Sequence, residues 1–392
     1  MDFPILKSEI QAFIKANTEA ALPKLAFQKN PFPEVQWQLI LEQIGCRQKA
    51  QEKLPTWFSC DNIIYPSKIS IEQTSSEKTA AYKASLLSGK NIIDATGGFG
   101  IDSYYFSKIF ESVIHCEMNA TLSSIVQHNF EVMKVNNVKC IPQDSLEVLK
   151  TFNSKFDWIY IDPSRRHDAK GKVFLLKDCA PNVPELLDTY FEYSNHILIK
   201  TAPILDIAAG LNELKNVEQI HIVAVENEVK ELLWEISKGY EGTIAVKTVN
   251  LKKDQQEVFD FILHEKTEAP SLNLPQRYLY EPNSAIMKSG GFTEVGIRFG
   301  LDKLHAHSQL YTSNQMIEFP GRIFEIHSVI PYQKSAMKAS LEGKKANITT
   351  RNFPDSVEDI RKKWKIANGG NDYCFFTTDM NNDKIVLLCT KI

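Results

Sequence analysis

The sequence predicts an α/β fold: a mostly parallel sheet with helices around it, preceded by a helical region and followed by a small α+β domain. From Asn91 to Glu265, short apolar runs alternate with helical patterns, and this alternation is typical of a parallel sheet. Before this stretch apolar residues recur at helical spacing, and after it strand and helix patterns alternate in shorter segments. We expect four parts, at 1–88, 89–268, 269–318 and 319–392.

Composition limits the classes to which the chain can belong. Its 392 residues are 43% hydrophobic, which is ample for packed cores. Apolar runs stay shorter than the roughly 18 residues of a membrane span, and the start MDFPILKSEIQAF has no basic leader before an apolar core. The seven cysteines form no CxxC pair, so we expect reduced thiols in a cytoplasmic protein, and neither a zinc site nor a disulfide framework.

The net charge of −3 excludes a basic field over the whole protein, so any nucleic-acid contact must come from local patches. Between Pro331 and Gly370 there are nine Lys and Arg residues against four Asp and Glu residues. One predicted helix there carries Arg361, Lys362, Lys363 and Lys365 beside Trp364. Such a face can simply be solvated, or it can bind phosphates with an affinity that falls as salt rises.

The clearest functional signal is the stretch IIDATGGFGID at 92–102. Its β-branched start predicts a buried parallel strand, and Asp94 stands where that strand should end. Gly97, Gly98 and Gly100 then permit a tight turn and close approach of the backbone to a ligand. A helical pattern follows, so we expect a strand–turn–helix corner at the carboxyl edge of the sheet, where ligands bind in such folds.

Two classes of cofactor use such a corner. Dinucleotides need G-x-G-x-x-G for the pyrophosphate, but Gly98 and Gly100 are followed by Ser103 at the third position. S-adenosylmethionine has no phosphate and carries an amino group, which an acid such as Asp94 can bind. The pattern, with Thr96 inside the turn, therefore favours S-adenosylmethionine as the cofactor. A glycine turn with a purely structural role is the alternative.

Acids also follow the next two predicted strands. Glu117 comes directly after Ser112–Cys116, about twenty residues past the glycine turn, where a carboxylate can bind ribose hydroxyls. Gln143 and Asp144 follow Val138–Ile141, and a carboxylate there can reach an adenine amino group. Each acid alone could be a solvated loop residue. Acids at three successive strand ends favour one shared cofactor pocket.

The motifs DATGGFGID and IDPSRR, the strand end at Glu117 and the Gln143-Asp144 pair resemble class I S-adenosylmethionine-dependent methyltransferases, and among them the RNA methyltransferases. The glycine turn is similar to that of trimethylguanosine synthases. The carboxyl-terminal end resembles the THUMP-like domain that is attached to some bacterial methyltransferases. The resemblance is good over 91–265 and looser elsewhere, and it leaves 269–318 as a small α/β insert or ferredoxin-like subdomain.

This resemblance implies a Rossmann-like methyltransferase core of seven strands, in which Gln219–Glu226 and Phe259–His264 form an antiparallel edge. It also implies that Asp162, after the strand Phe156–Ile161, orients a target amine so that its lone pair faces the sulfonium methyl group. The residues that it assigns to the cofactor are Asp94, Thr96, Gly97, Gly98, Gly100, Glu117 and Asp144.

The catalytic candidate is Asp162-Pro163-Ser164-Arg165. Amino-methylating relatives carry a second proline and an aromatic residue where this chain has Ser164 and Arg165. A guanidinium plane could replace the aromatic ring as a stacking surface, or Arg165 and Arg166 could bind a phosphate. The alternative is a strand-ending turn with surface arginines. We expect rRNA or tRNA as the partner, bound through Arg165, Arg166 and the basic carboxyl-terminal domain.

Three weaker signals lie outside these motifs. Lys200 ends a further predicted strand and can face either the substrate or the solvent. His305 and His307 have no partner cysteine or acid at ligand spacing, so no metal is expected. The segment YEPN at 280–283 is suggestive of a loop at the edge of a site.

Three alternatives to an RNA methyltransferase stay open. A nucleotide-dependent oxidoreductase is disfavoured by the missing third glycine, and flavin or NAD absorbance in the purified protein would revive it. A non-catalytic RNA-binding protein would keep the fold without methyl transfer. A methyltransferase for a protein or a small molecule would stay active after loss of the segment beyond Pro320.

Overall fold

The computed structural model describes residues 3–165 and 175–392. The chain divides into two compact units. The first comprises Met1–Gln219 and Leu232–Gly242, and the second comprises Ile220–Glu231 and Thr243–Ile392. Arg166, one of the two arginines expected to contact RNA, lies outside the described residues. Within the described ranges, no helix is long and apolar enough to cross a bilayer.

The first unit begins with the helical region that the sequence predicts. Its helices are α1 (Ser8–Ala16), α2 (Leu22–Ala26), α3 (Trp37–Lys53), α4 (Pro55–Ser59), α5 (Lys68–Gln73) and α6 (Glu77–Leu86). Trp57 of α4 is fully buried, and its ring centroid lies 6.4 Å from that of Phe99 in the glycine turn. Both belong to one apolar cluster with Phe130, so this helical region packs against the glycine turn.

An alternation of strands and helices follows. The strands are β1 (Asn91–Asp94), β2 (Ser112–Cys116), β3 (Val138–Ile141), β4 (Trp158–Ile161), β5 (Ser164–Arg165), β6 (Cys179–Ala180) and β7 (His196–Thr201). The helices are α7 (Ile101–Phe106), α8 (Ala120–Val132), α9 (Ser145–Leu149), α10 (Val183–Tyr193) and α11 (Ile207–Glu213). Strands β3, β2, β1, β4 and β7 pair in that order and are all parallel, which confirms the predicted α/β sheet.

Strands β8 (Val217–Val225), β9 (Glu228–Ser237), β10 (Ala245–Leu251) and β11 (Gln256–Ile262) come next. Residues Leu232–Ser237 of β9 pair antiparallel with β7, and β10 pairs antiparallel with β11. The prediction of seven strands missed β9 and β10. The sequence ELLWEI in β9 favours a helix locally, but Glu226 and Asn227 both adopt positive φ, as a two-residue hairpin turn requires.

The second unit continues with β12 (Tyr278–Pro282), α12 (Ser284–Ser289), α13 (Phe292–Phe299), β13 (Asp302–Lys303), β14 (Tyr311–Ser313), β15 (Gly321–Pro331), α14 (Lys334–Ser340), β16 (Asn347–Arg351), α15 (Val357–Trp364), β17 (Asp372–Thr378) and β18 (Lys384–Lys391). Seven strands form one sheet in the order β13-β14-β12-β15-β18-β17-β16. After Pro320 short strands and helices alternate, as the sequence predicts.

The core of this sheet lies on both of its faces. On β17, Phe375 and Phe376 are both fully buried but belong to different clusters, because successive side chains of a strand point to opposite faces. Phe376 packs with Trp364 of α15, whereas Phe375 packs with Leu304 from the segment before β14. The sheet is therefore covered on both faces. Together with its helices it gives the carboxyl-terminal part the α+β character that the sequence predicts.

Candidate active site

The tips of four neighbouring strands meet at one edge of the parallel sheet. Beyond the last paired residue of β1, Ala95 N–H donates to the carbonyl of Tyr160 on β4 at 2.9 Å, and Gly97 N–H donates to the carbonyl of Cys116 on β2 at 2.7 Å. Glu117 N–H donates to the carbonyl of Ile141 on β3 at 3.2 Å. The acids that follow these strands are therefore held at a common edge, as the sequence predicts.

The glycine turn has one face packed and one face open. A Cβ on Gly97 would lie 2.3 Å from Nε2 of the buried His115, and a Cβ on Gly100 would lie 2.7 Å from Val126. Gly98, with φ of +54°, would meet only the Thr96 carbonyl at 3.8 Å. Packing thus requires glycine at both Gly97 and Gly100. Gly98 instead presents bare backbone to the open side, where a ligand can approach.

Asp94 is buried at the end of β1, with 1% of its surface exposed. Its carboxylate accepts hydrogen bonds from Ser103 Oγ at 2.6 Å and from Thr96 N–H at 3.2 Å. Burial is the main cause that raises the pKa of Asp94 to about 8; the nearby charges of Asp102 and Asp162 act in the same direction, and the hydrogen bonds from Ser103 and Thr96 oppose it. A buried acid surrounded by other acids is well placed to bind a cationic group.

Glu117 fastens the turn to the tip of β2. Its Oε2 accepts from Gly98 N–H at 3.0 Å and its Oε1 accepts from Asn119 N–H at 2.7 Å. The side chain is only half-buried, so oxygen lone pairs stay available to a ligand. The sequence pointed to Glu117 because it lies about twenty residues past the glycine turn. In the structure this acid contacts Gly98 directly.

Asp144 lies at the tip of β3 and caps α9. Its Oδ1 accepts from Leu146 N–H at 2.9 Å, and the residue is exposed. Capping of this kind is a sufficient structural reason for an aspartate at this position. The structure therefore gives Asp144 a role of its own, and contact with adenine stays a prediction.

Asp162 forms hydrogen bonds with both the glycine turn and β7. Its backbone N–H donates to Thr96 Oγ1 at 2.6 Å, and its Oδ2 accepts from Lys200 Nζ at 2.7 Å. The exposed fractions of the two side chains are 31% for Asp162 and 14% for Lys200. Of the two readings that the sequence left open for Lys200, the structure supports the one at the site.

The rest of the catalytic candidate extends away from Asp162. Pro163 is buried and Ser164 is exposed. Residues Ser164–Arg165 form β5, which pairs antiparallel with β6 so that Arg165 lies opposite Cys179. The pairing of β5 with β6 holds the backbone in place where the chain continues beyond β4.

Sequence reasoning missed a buried ion pair behind the glycine turn. Lys83 on α6 is fully buried, and its Nζ lies 3.2 Å from Asp102 Oδ1 at the start of α7. Asp102 Oδ2 also accepts from Ser75 Oγ and from Tyr160 Oη, each at 2.9 Å. The signal was present: a lysine within the apolar helix AAYKASLL, and an acid inside the glycine motif.

Several side chains of the basic helix α15 form hydrogen bonds within their own domain. The guanidinium of Arg361 donates to the Ala346 carbonyl at 3.2 Å, and Lys363 Nζ donates to Tyr332 Oη at 3.1 Å. Trp364 is 6% exposed. Lys362, Lys363 and Lys365 are exposed, and RNA binding at this face stays a prediction.

His305 contacts two asparagines and the neighbouring His307. Asn352 Nδ2 lies 3.0 Å from its Nδ1, and Asn382 Oδ1 lies 3.2 Å from its Nε2. In the part of the chain that the structure describes, no three His, Cys, Asp or Glu side chains are grouped to hold a metal ion.

Two family models match the carboxyl-terminal part of the chain. Residues 278–320 match a family model described as a ferredoxin-like domain, and residues 321–391 match one described as THUMP domain-like. A crystal structure of a provisionally assigned methyltransferase from Porphyromonas gingivalis W83 is 31% identical to this chain. The match covers 100% of both chains with a TM-score of 0.87.

Two more distant relatives come from strains of Mycobacterium tuberculosis, CDC 1551 and H37Rv. Each is named an uncharacterized S-adenosylmethionine-dependent methyltransferase. Each is 20% identical to this chain over 300 residues, which cover 76% of this chain and 79% of the relative. These relatives, one of them 31% identical over the whole length of both chains, show that the chain is a methyltransferase. The chain belongs to the S-adenosylmethionine-dependent methyltransferase family.

Proposed function

We propose that this enzyme transfers a methyl group from S-adenosylmethionine to a base amine in RNA. The observation that carries the proposal is the convergence of Asp94, Glu117 and Asp162 on one edge of the sheet, connected through Thr96 and Gly98. Asp94 and Glu117 would bind the cofactor, and Asp162 at the tip of β4 would bind the acceptor.

The residues at the turn suit this cofactor. The open side of Gly98 leaves room for a ligand, and the buried Asp94 lies where a positive amino group would relieve the cost of its charge. Glu117 would bind the ribose hydroxyls and Asp144 the adenine amino group. Thr96, Gly97 and Gly100 would shape the turn.

When bound, S-adenosylmethionine supplies an electrophilic methyl group on its sulfonium sulfur. The contribution of the protein is mainly orientation of the acceptor. The free lone pairs of Asp162 would accept a hydrogen bond from the acceptor amine and point its nitrogen towards the methyl group. Lys200 would hold the Asp162 carboxylate in that orientation. Pro163, Ser164 and Arg165 would form the wall beside the acceptor.

The THUMP domain-like match at residues 321–391 supports an RNA acceptor. In this proposal 1–88 supports the cofactor turn, 89–268 transfers the methyl group, and 269–318 and 319–392 bind the RNA, either rRNA or tRNA. Arg165, Arg166 and the exposed lysines of the carboxyl-terminal part would contact phosphates.

The test compares the wild type with Asp162→Asn. Calorimetry should show that both proteins bind S-adenosylmethionine with similar affinity, whereas transfer of labelled methyl groups to bulk RNA should fall by at least about a hundredfold in the variant. Asp188→Asn, an exposed aspartate on α10, is the matched control and should be fully active.

Mass spectrometry of nucleosides from a deletion strain would identify the modified base. Unchanged transfer by Asp162→Asn would defeat the assigned role. Cofactor binding without transfer to any RNA, combined with transfer to protein or small molecules, would defeat the RNA acceptor alone.

A further inference from the structure

The segment YEPN, which the proposed methyl transfer leaves unused, contains a buried acid that holds two arginines. Glu281 on β12 has 2% of its surface exposed. Its Oε2 accepts from Arg322 Nε at 2.6 Å, and its Oε1 accepts from an Arg351 terminal nitrogen at 2.8 Å. Arg322 lies at the start of β15 and Arg351 at the end of β16.

The charges in this cluster do not cancel. A buried carboxylate needs a paired cation, and one guanidinium is enough for that. Here two guanidinium groups share the single carboxylate of Glu281, so the three side chains carry a net charge of +1. Each arginine side chain is 34% exposed. The excess positive charge is therefore accessible to solvent and to a ligand.

The donors are also not all used. Arg351 Nε is buried and donates to no acceptor among the described residues. A buried N–H without an acceptor is costly and uncommon, so the Arg351 guanidinium keeps donor capacity that Glu281 does not use. Because Glu281 holds both guanidinium groups in place, little side-chain entropy would be lost when an acceptor from outside the chain binds.

We infer that Arg322 and Arg351 form a binding site for a phosphate of the RNA backbone, with Glu281 as the residue that orients both arginines. The planar fork of a guanidinium matches two phosphate oxygens, and a site with net positive charge favours an anion. This inference rests on the proposed RNA acceptor and adds a specific contact to it. It places the contact where the ferredoxin-like match at 278–320 adjoins the THUMP domain-like match at 321–391.

A double substitution that leaves the local net charge unchanged provides the test. In the full-length chain, Glu281→Gln with Arg351→Gln removes one negative and one positive charge, so the cluster stays at +1. The matched control is Arg277→Gln with Glu325→Gln, which removes an exposed ion pair, 3.0 Å long, beside the same strands. Fluorescence anisotropy would measure the binding of a labelled oligouridylate over a series of KCl concentrations.

If the arginines bind phosphate, the Glu281/Arg351 variant should bind roughly tenfold more weakly. The slope of log K against log salt should stay close to that of the wild type, because the local net charge is unchanged, so the weaker binding reports the lost guanidinium fork. The control should bind like the wild type. An oligonucleotide with uncharged methylphosphonate linkages should bind neither protein measurably.

Wild-type affinity in a folded Glu281/Arg351 variant would overturn the inference and leave the cluster as a structural clamp. Thermal unfolding checks the folding of each protein. If the double variant does not fold, Arg351→Lys retains the charge opposite Glu281 and should still weaken binding about fivefold through the lost fork. Methylation assays separate the two proposals. If the wild type methylates RNA and the variants bind RNA normally, only the phosphate site is defeated. If the wild type neither binds nor methylates RNA, both the phosphate site and the RNA acceptor are defeated.

Discussion

The ammonium group of Lys200 lies 2.7 Å from the carboxylate of Asp162 and joins the tips of β7 and β4. Both side chains are largely shielded from solvent, so screening weakens this pair less than it weakens a surface pair. The pair balances the charge of Asp162 beside the buried Asp94. It also restrains the carboxylate that is proposed to orient the acceptor.

The first prediction concerns this restraint. Lys200→Met should lower kcat for RNA methylation by about tenfold to a hundredfold, because the Asp162 carboxylate loses its fixed orientation. The dissociation constant for S-adenosylmethionine should stay within about twofold, since Lys200 is assigned no cofactor contact. Lys215→Met, an exposed lysine in the same unit, is the control. Equal activity of Lys200→Met and Lys215→Met would show that the ion pair is only structural.

The second prediction separates the two functions of the glycine turn. Gly98→Ala should cost about 1 kcal/mol of stability, the strain of a positive φ, because the new Cβ meets only the Thr96 carbonyl at 3.8 Å. Its affinity for S-adenosylmethionine should fall at least about tenfold, since that Cβ enters the open side of the turn. Gly100→Ala should instead cost about 3 kcal/mol, through strain and overpacking together, because its Cβ would lie 2.7 Å from Val126. Urea unfolding and calorimetry distinguish these outcomes, and the reverse pattern would contradict the assignment.

The third prediction is a pH dependence. Burial raises the pKa of Asp94 to about 8, whereas in the unfolded chain an aspartate has a pKa of about 3.9. Between about pH 4 and 8 the folded state therefore retains a proton that the unfolded state releases. The free energy of unfolding should accordingly decrease as pH rises through this window.

Asp94→Asn, which mimics the protonated acid, should show a flatter profile in urea unfolding. Binding of the cationic cofactor favours the carboxylate, so wild-type affinity should rise with pH up to about 8, and binding should release a proton. Calorimetry in buffers of different ionization enthalpy measures that release. Proton uptake, or an unchanged profile in Asp94→Asn, would show that Asp94 does not titrate in this way.

The parallel sheet and its acids could be predicted because local patterns encode them. The strand Ile92-Ile93 ends at Asp94, and the spacing from the glycine turn to Glu117 follows from one helix and one strand. The predicted limits of β2 and β3 match the structure residue for residue. In such segments hydrophobic periodicity and turn chemistry agree.

The contacts between distant segments could not be predicted, because single-sequence patterns carry no pairing information. Lys200 and Asp162 are 38 residues apart, and Glu281 and Arg351 are 70 residues apart. Strand β9 was missed for a related reason. Its residues Leu232 and Leu233 favour a helix locally, and pairing with β7 overrides that preference.

The last prediction concerns the ion pair between Lys83 and Asp102, which connects the amino-terminal helices to the first turn of α7. Lys83→Met should cost about 3–5 kcal/mol, because Asp102, with 12% of its side chain exposed, would lose its paired cation. Lys49→Met removes an ion pair to Glu72 that is 36% and 51% exposed, and should cost at most about 1 kcal/mol. Urea unfolding measures both.

Since α7 begins directly after the glycine turn, Lys83→Met should also weaken cofactor binding at temperatures where the chain is still folded. A difference of less than about 1 kcal/mol between the two variants would mean that Ser75 and Tyr160 hold the Asp102 carboxylate without help from the lysine.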